Sequence, residues 1–284
     1  MIQNEEMTKE SHHYVPIFYL KNFAIQKKNN FYLNCYNKKD NRIFCSNIKN
    51  IACGKNFYGS KDIIECNAAN AIKKIIRSES LGILSDAEKK DISNFASLLM
   101  VRTEHHRMML DQMLNGVMHR ITPQLQLSDN ISDYNFKYTS NGFIEFIDHS
   151  IQTLSKIIVG MKWFLTINNT EIPFWTSDNP LCLENELKPK PGFSNMGLAC
   201  RGIQVHLPLN SNISLHFLHP MEFSTLPDIM DLFDEQGSIH ENFLQVYNSK
   251  RCVYSESNDF LLAKQVLYVH PELKDGSGIS MVFK

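Results

Sequence analysis

The chain of 284 residues lacks most of the short patterns that mark familiar enzyme chemistry. It carries no glycine-rich phosphate loop, no His-Glu-x-x-His, no Gly-x-Ser-x-Gly and no dinucleotide fingerprint, so the commonest nucleotide-dependent and hydrolytic classes lose their sequence support. Its seven cysteines (35, 45, 53, 66, 182, 200 and 252) form an odd set with no Cys-x-x-Cys pair. A zinc ribbon needs paired thiolates at short spacing, so free and mostly buried thiols are expected instead. No apolar run is long enough to span a membrane: the best stretch, residues 143–159, is broken by Glu145, Asp148, His149 and Lys156. The first eleven residues are polar and acidic and hold no apolar core of the kind an export signal needs, which predicts a cytoplasmic protein. A net charge of -1 supplies no overall field with which to select a partner.

What is present is ordinary globular usage, 43% hydrophobic and 21% charged, which predicts a chain that folds over most of its length. Charge is distributed unevenly. Residues 1–60 carry nine Lys or Arg against four acids, whereas residues 220–284 carry ten acids against five bases. Such asymmetry permits an anionic ligand at the N-terminal end or docking of one end on the other, with equal weight.

Periodicity and turn chemistry divide the chain. Pro16 opens a short helix through Ile17, Phe18, Leu20 and Phe23. The β-rich runs Phe31 to Tyr36 and Arg42 to Cys45 read as a hairpin about the polar turn Asn37 to Asn41. A helix is expected over 61–78, with Ile64, Ala68, Ala71, Ile72 and Ile75 on one stripe. Ser85 and Glu88 form a capping box that opens an uninterrupted helix to Asn115, where Ile92, Phe95 and Leu99 lead to Arg102 and His106 on the packed face. A third helix follows over 143–159. Two hairpins are then expected, 162–167 with 172–176 and 202–209 with 213–219, the second about Asn210-Ser211-Asn212. A short helix near 228–233, a helix near 241–249 and a final strand at 266–270 complete the chain. The reading is an α+β fold, with antiparallel sheet elements at both ends of the chain packed against a central group of long helices. It treats 1–284 as a single domain, with 122–142 as the place of any division.

Three segments offer chemistry. His12 and His13 precede the proline-started helix, where the helix dipole lowers imidazole basicity and would keep His13 neutral, as a metal ligand or general base requires. The plainer reading packs one ring on Phe18 or Tyr19 and leaves the other in water. Phe174 to Pro180 ends in Ser-Asp-Asn-Pro, which sets the Asp178 carboxylate and the Asn179 amide at a sheet rim; the same letters also write a plain Asx turn. Arg102, buried on its helix stripe, demands an acid, with Asp178 and Glu65 as candidates; a structural ion pair outweighs a phosphate clamp. His206 and His216 lie on facing strands and become neighbours if the loop between them has three residues, although either can equally face solvent.

Together these segments resemble the domain-of-unknown-function family 4238, whose hallmark is a His-Tyr-Val/Ile-Pro motif near the N-terminus, here His13-Tyr14-Val15-Pro16. The likeness continues through Phe18 to Phe23, Ile51-Ala52, Phe57-Tyr58, Glu65, Arg102-Thr103, Trp175 to Pro180, Pro208-Leu209 and Gln245 to Ser255. The resemblance implies that His13, Arg102, Asp178 and Asn179 belong to the common pattern and that His206 and His216 do not; it implies no activity.

The leading functional reading is a metal-assisted hydrolase, phosphodiesterase or nuclease. In it a divalent ion is held by His13 and Asp178, Arg102 holds phosphate and Asn179 orients the carboxylate or the substrate. His12 and Lys21 join Arg102 in binding the substrate. The basic, aromatic-interleaved first sixty residues suit a nucleic acid or a small anion. The rival reading is a non-catalytic binding or interaction module whose polar residues knit helix to sheet.

Overall fold

The structure, a computed structural model, describes residues 11–55, 62–102, 115, 140–187 and 195–276. Strand β1 (Ser11–His13) pairs antiparallel with β5 (Cys53–Lys55), and Pro16 then opens α1 (Ile17–Leu20). The two histidines therefore sit in a strand, four and five residues ahead of the helix whose dipole was expected to act on them. β3 (Asn30–Asn37) and β4 (Arg42–Asn47) form the expected hairpin. The other edge of β3 takes β2 (Ile25–Lys27) along its first half and β12 (Cys252–Ser255) along its second. The basic and acidic ends of the chain thus dock through backbone pairing.

The helices follow their stripes. α2 (Asp62–Ser78) buries Ala68, Ala71, Ile72 and Ile75. α3 (Asp86–Arg102) begins with the expected capping box: Glu88 N donates to Ser85 Oγ at 3.3 Å, and Ser85 N donates to Glu88 Oε2 at 3.0 Å. Glu88 also pairs with Lys74 of α2, so the cap joins the two helices. Ser85→Ala should lower stability by about 1 kcal/mol, seen as a fall in the urea midpoint at unchanged slope. α4 (Ser140–Val159) packs Ile147 and Ile151 on Leu98 and Val101 of α3. Residues 103–114, His106 among them, and 122–139, most of the suggested division, lie outside the described residues. No helix among the described residues is long and apolar enough to cross a membrane.

A second sheet runs in the order β11 (Ile229–Leu232), β6 (Lys162–Asn168), β10 (Ile213–Leu218), β9 (Gln204–Pro208), β8 (Cys182–Glu184). The β9–β10 hairpin about Asn210-Ser211-Asn212 forms as expected and sets His216 directly opposite His206. The hairpin expected between 162–167 and 172–176 does not form, because both edges of β6 are taken, by β10 on one side and by β11 on the other. Residues 172–175 instead cross to the first sheet, where β7 (Thr176–Ser177) pairs with β12. On the way, Phe174 N donates to Ser211 O at 2.8 Å and Trp175 N to Asn242 Oδ1 at 2.7 Å. The helix expected near 228–233 is the parallel strand β11, whose backbone satisfies the open edge of β6. The strand expected at 266–270 belongs to α6 (Leu261–Val269), which buries Ala263, Val266 and Leu267 at helical spacing against Tyr36, Trp175 and Phe260.

Alternation along the second sheet creates two unlike faces. One face, with Leu165, Ile167, Val205, Leu207, Ile213, Leu215 and Phe217, shares a core with α2 and α3. The other carries Phe164, Thr166, His206, Ser214 and His216, all buried. α5 (Glu235–Asn248) lies over this face and turns polar side chains inward: Ser238, Glu241, Asn242, Gln245 and Asn248. An unpaired buried polar group costs about 1–3 kcal/mol, so this layer is stable only where its members find partners.

Candidate metal centre

Arg102 donates to Glu65 and to the backbone oxygen of His13, so helix and N-terminal strand meet through a buried guanidinium with Glu65 as its acid. His13 Nδ1 bonds to Ile51 O at 3.1 Å, and burial lowers the basicity of the ring, with the Arg102 charge adding to the effect. Lys21 lies 4.1 Å from the Phe31 ring centroid, a cation–π contact. The side chain of His12 lies outside the described residues; its backbone pairs with Gly54.

Asp178 and Asn179 have other partners. Asp178 Oδ1 accepts from Lys250 N at 2.8 Å, and Oδ2 accepts from Arg251 N at 2.8 Å and Cys252 N at 3.0 Å. Asn179 Nδ2 donates to Asn248 O at 3.0 Å. Beneath them Lys38, fully buried, donates to Val246 O, Ser249 O and Gly276 O. Burial pushes its ammonium down to about 8, and the nearby Asp178 opposes that shift. Together these bonds clasp the end of α5 to the start of β12. His13 and Arg102 meet each other, Asp178 and Asn179 meet residues 248–252, and the imidazole and carboxylate expected to share a metal serve two different joints of the fold.

Ligand geometry appears on the polar face of the second sheet. His206 Nδ1 lies 2.8 Å from Glu241 Oε1 and 3.2 Å from His216 Nδ1, and His216 Nδ1 lies 3.9 Å from Glu241 Oε1. Among the described residues this is the one group of three or more His, Cys, Asp or Glu whose ligand atoms all lie within 4.8 Å of one another. Bonds of about 2.0–2.2 Å to one ion would set such atoms roughly 2.8–3.6 Å apart; two sides of the triangle fall in that range and the third, at 3.9 Å, lies just beyond it. Strand register brings the two imidazoles together, and α5 brings the carboxylate.

The outer atoms of the triad are also partnered. His216 Nε2 bonds to Thr166 Oγ1 at 3.0 Å, and Glu241 Oε2 accepts from Ser214 Oγ at 3.2 Å. His206 Nε2 is buried without a hydrogen-bond partner and points toward Glu184 Oε2, 3.6 Å away. Because a carboxylate only accepts, His206 Nδ1 carries the hydrogen that meets Glu241. A cation in place of that hydrogen would leave the ring proton on Nε2, where Glu184 can accept it. Outer carboxylates and hydroxyls commonly orient metal-bound imidazoles in this way.

Charge states agree. Burial works to raise the Glu241 carboxyl, yet the His206 and His216 rings bring it down to about 2. Burial pushes the His216 imidazole down to about 4. At neutral pH the site therefore holds an ionised carboxylate and a neutral His216, the forms that bind metal. A cleft of about 220 Å³ opens over the triad, with Phe164, Gln204, Leu218, Leu226, Met230 and His240 among its walls. His240, half-exposed, reaches Glu184 Oε2 at 2.9 Å.

The family model described as Protein of unknown function (DUF4238) matches residues 11–259. The chain belongs to this family. In this DUF4238 protein the match takes in both the His13 and Asp178 segments and the whole triad of His206, His216 and Glu241. No curated protein and no solved structure matches the chain.

The triad was half legible: the sequence made His206 and His216 neighbours on condition of a three-residue loop, and the structure pairs them. The missing signal was Thr166, His206, Ser214 and His216 at alternate positions in strands otherwise apolar, a pattern that calls for a polar cover. Glu241 is recognised as that cover only once α5 is in place.

Proposed function

We propose that this DUF4238 protein is a divalent-metal-dependent hydrolase whose ion is held by His206 Nδ1, His216 Nδ1 and Glu241 Oε1. The observation that carries the reading is the convergence of these three atoms, from two strands and a helix, at the floor of a cleft. Two imidazoles and one carboxylate are a donor set of catalytic zinc and of other first-row ions, and three protein ligands leave a position for water. A bound ion supplies the acidity that makes this water a nucleophile near neutral pH. Thr166 holds the His216 ring in register, and Glu184 would accept from His206 Nε2 once an ion occupies Nδ1. The buried thiols Cys35, Cys182 and Cys252 suit a reducing compartment such as the cytoplasm.

The other reading, a metal-free network in a binding module, is favoured by the 2.8 Å bond between His206 and Glu241, which closes the triad by itself. Thr166→Val separates the two. It keeps the volume but removes the partner of His216 Nε2, and it should weaken zinc or manganese binding by roughly 10–100-fold, with metal-dependent hydrolysis reduced at subsaturating metal and restored by excess. A wild-type protein that takes up no metal establishes the metal-free network.

A further inference from the structure

The walls of the cleft narrow the bond that is cut. They combine apolar side chains, Phe164, Leu218, Leu226, Met230 and Leu232, with polar ones, Thr166, Gln204, His240 and the triad, and the His240 imidazole is engaged by Glu184. Leu226 and Met230 remain exposed at 37% and 45%, whereas Phe164 and Leu218 are buried, so the apolar side is open to a ligand at Leu226 and Met230. None of the described residues that line the cleft is a lysine or an arginine. Glu184 adds a further carboxylate behind His206 and beside His240.

This distribution has a consequence for charge. Phosphoryl transfer spreads negative charge over several oxygens, and the sites that catalyse it surround those oxygens with guanidinium, ammonium or paired metal ions. Here Glu241 would offset half the charge of one divalent ion and His240 is engaged by Glu184, which leaves little positive charge for a phosphodiester. A carbonyl is neutral in the ground state and develops charge on a single oxygen, which one ion can stabilise. The side-chain amide of Gln204 supplies a hydrogen bond for orienting such a group. At about 220 Å³ the cleft is smaller than the roughly 300–1,000 Å³ of sites for drug-sized ligands, which fits a short acyl chain.

On the reading that the triad holds a metal, we infer that the substrate is a small carboxylic ester or amide with an apolar acyl group, and not a phosphodiester. Water activated at the ion would add its oxygen to the carbonyl carbon, the bond from that carbon to the leaving oxygen or nitrogen would break, and one of the two water protons would end on the leaving group while the other passes to solvent or to the product amine. The products are a carboxylate and an alcohol or amine.

The experiment loads the full chain with zinc or cobalt, measures metal per chain directly, and then follows turnover of p-nitrophenyl acetate, butyrate and hexanoate, an N-acyl p-nitroanilide and bis(p-nitrophenyl) phosphate. The expected result is one ion per chain, metal-dependent acyl cleavage that rises tenfold or more from acetate to hexanoate, and no phosphodiester cleavage above the free-metal rate. Leu218→Asn, on the cleft wall and off the triad, should flatten the chain-length preference while leaving metal content unchanged. Faster phosphodiester than acyl cleavage, or a metal-loaded protein with no acyl turnover, overturns the substrate class while the metal site stands. A chain that takes up no metal removes the site itself.

Discussion

Replacing Asp178 with alanine should destabilise the protein by about 3–5 kcal/mol, a large share of the roughly 5–15 kcal/mol by which domains are stable. The carboxylate is buried and accepts the backbone hydrogens of Lys250, Arg251 and Cys252. Its removal orphans three amides at the joint between α5 and β12 and takes away a carboxylate that favours the ammonium of the fully buried Lys38. Asp178→Asn keeps the shape and one acceptor oxygen, so its loss should be smaller. Urea unfolding with unchanged slope reads both. If Asp178 were a metal ligand instead, the alanine variant would unfold near the parent midpoint and lose metal.

Glu241→Gln should have the opposite signature, a protein that folds but no longer responds to metal. The amide keeps an oxygen to accept from His206 Nδ1, so the metal-free packing of α5 over the sheet survives, while a neutral amide is a poor ligand for a divalent ion. An ion present at 100 times its dissociation constant stabilises the folded state by about 2.7 kcal/mol, which for a chain of this size is a rise in Tm of roughly 5–10 °C. Wild type should show this rise with zinc, and Glu241→Gln should show none. An equal rise in both would place the ion elsewhere.

The sequence was most legible where local chemistry decides the outcome. The capping box at Ser85 and Glu88, the stripe of α2 and the polar turns of the β3–β4 and β9–β10 hairpins all follow from interactions within a few residues. It was least legible where the partner is distant. Residues 172–176 have the composition of a strand, but β10 and β11 occupy β6, and α5 and the turn at Ser211 take the crossing segment. β11 and α6 exchange strand and helix relative to expectation because an open sheet edge and an apolar pocket, both built by remote residues, decide between them.

The candidate site shows the same division. His13, Arg102, Asp178 and Asn179 stand out in the sequence because burying a guanidinium or a carboxylate demands a partner, and the structure supplies partners that fasten strands and helix ends. His206 and His216 stand out only by alternation. Their significance depends on Glu241, some 25 residues further along, arriving from above on a helix whose inward face is polar. Burial of that face is what draws the three ligand atoms together, since each needs a hydrogen bond or an ion to offset its lost solvation.

Equilibrium dialysis of zinc against wild type and against a His216→Ala variant, at neutral pH and matched protein concentration, tests the metal site most directly. One ion bound per wild-type chain, with affinity lowered at least 100-fold in a variant that remains folded, is the predicted result. No ion bound by wild type, or the same isotherm for both proteins, would contradict it.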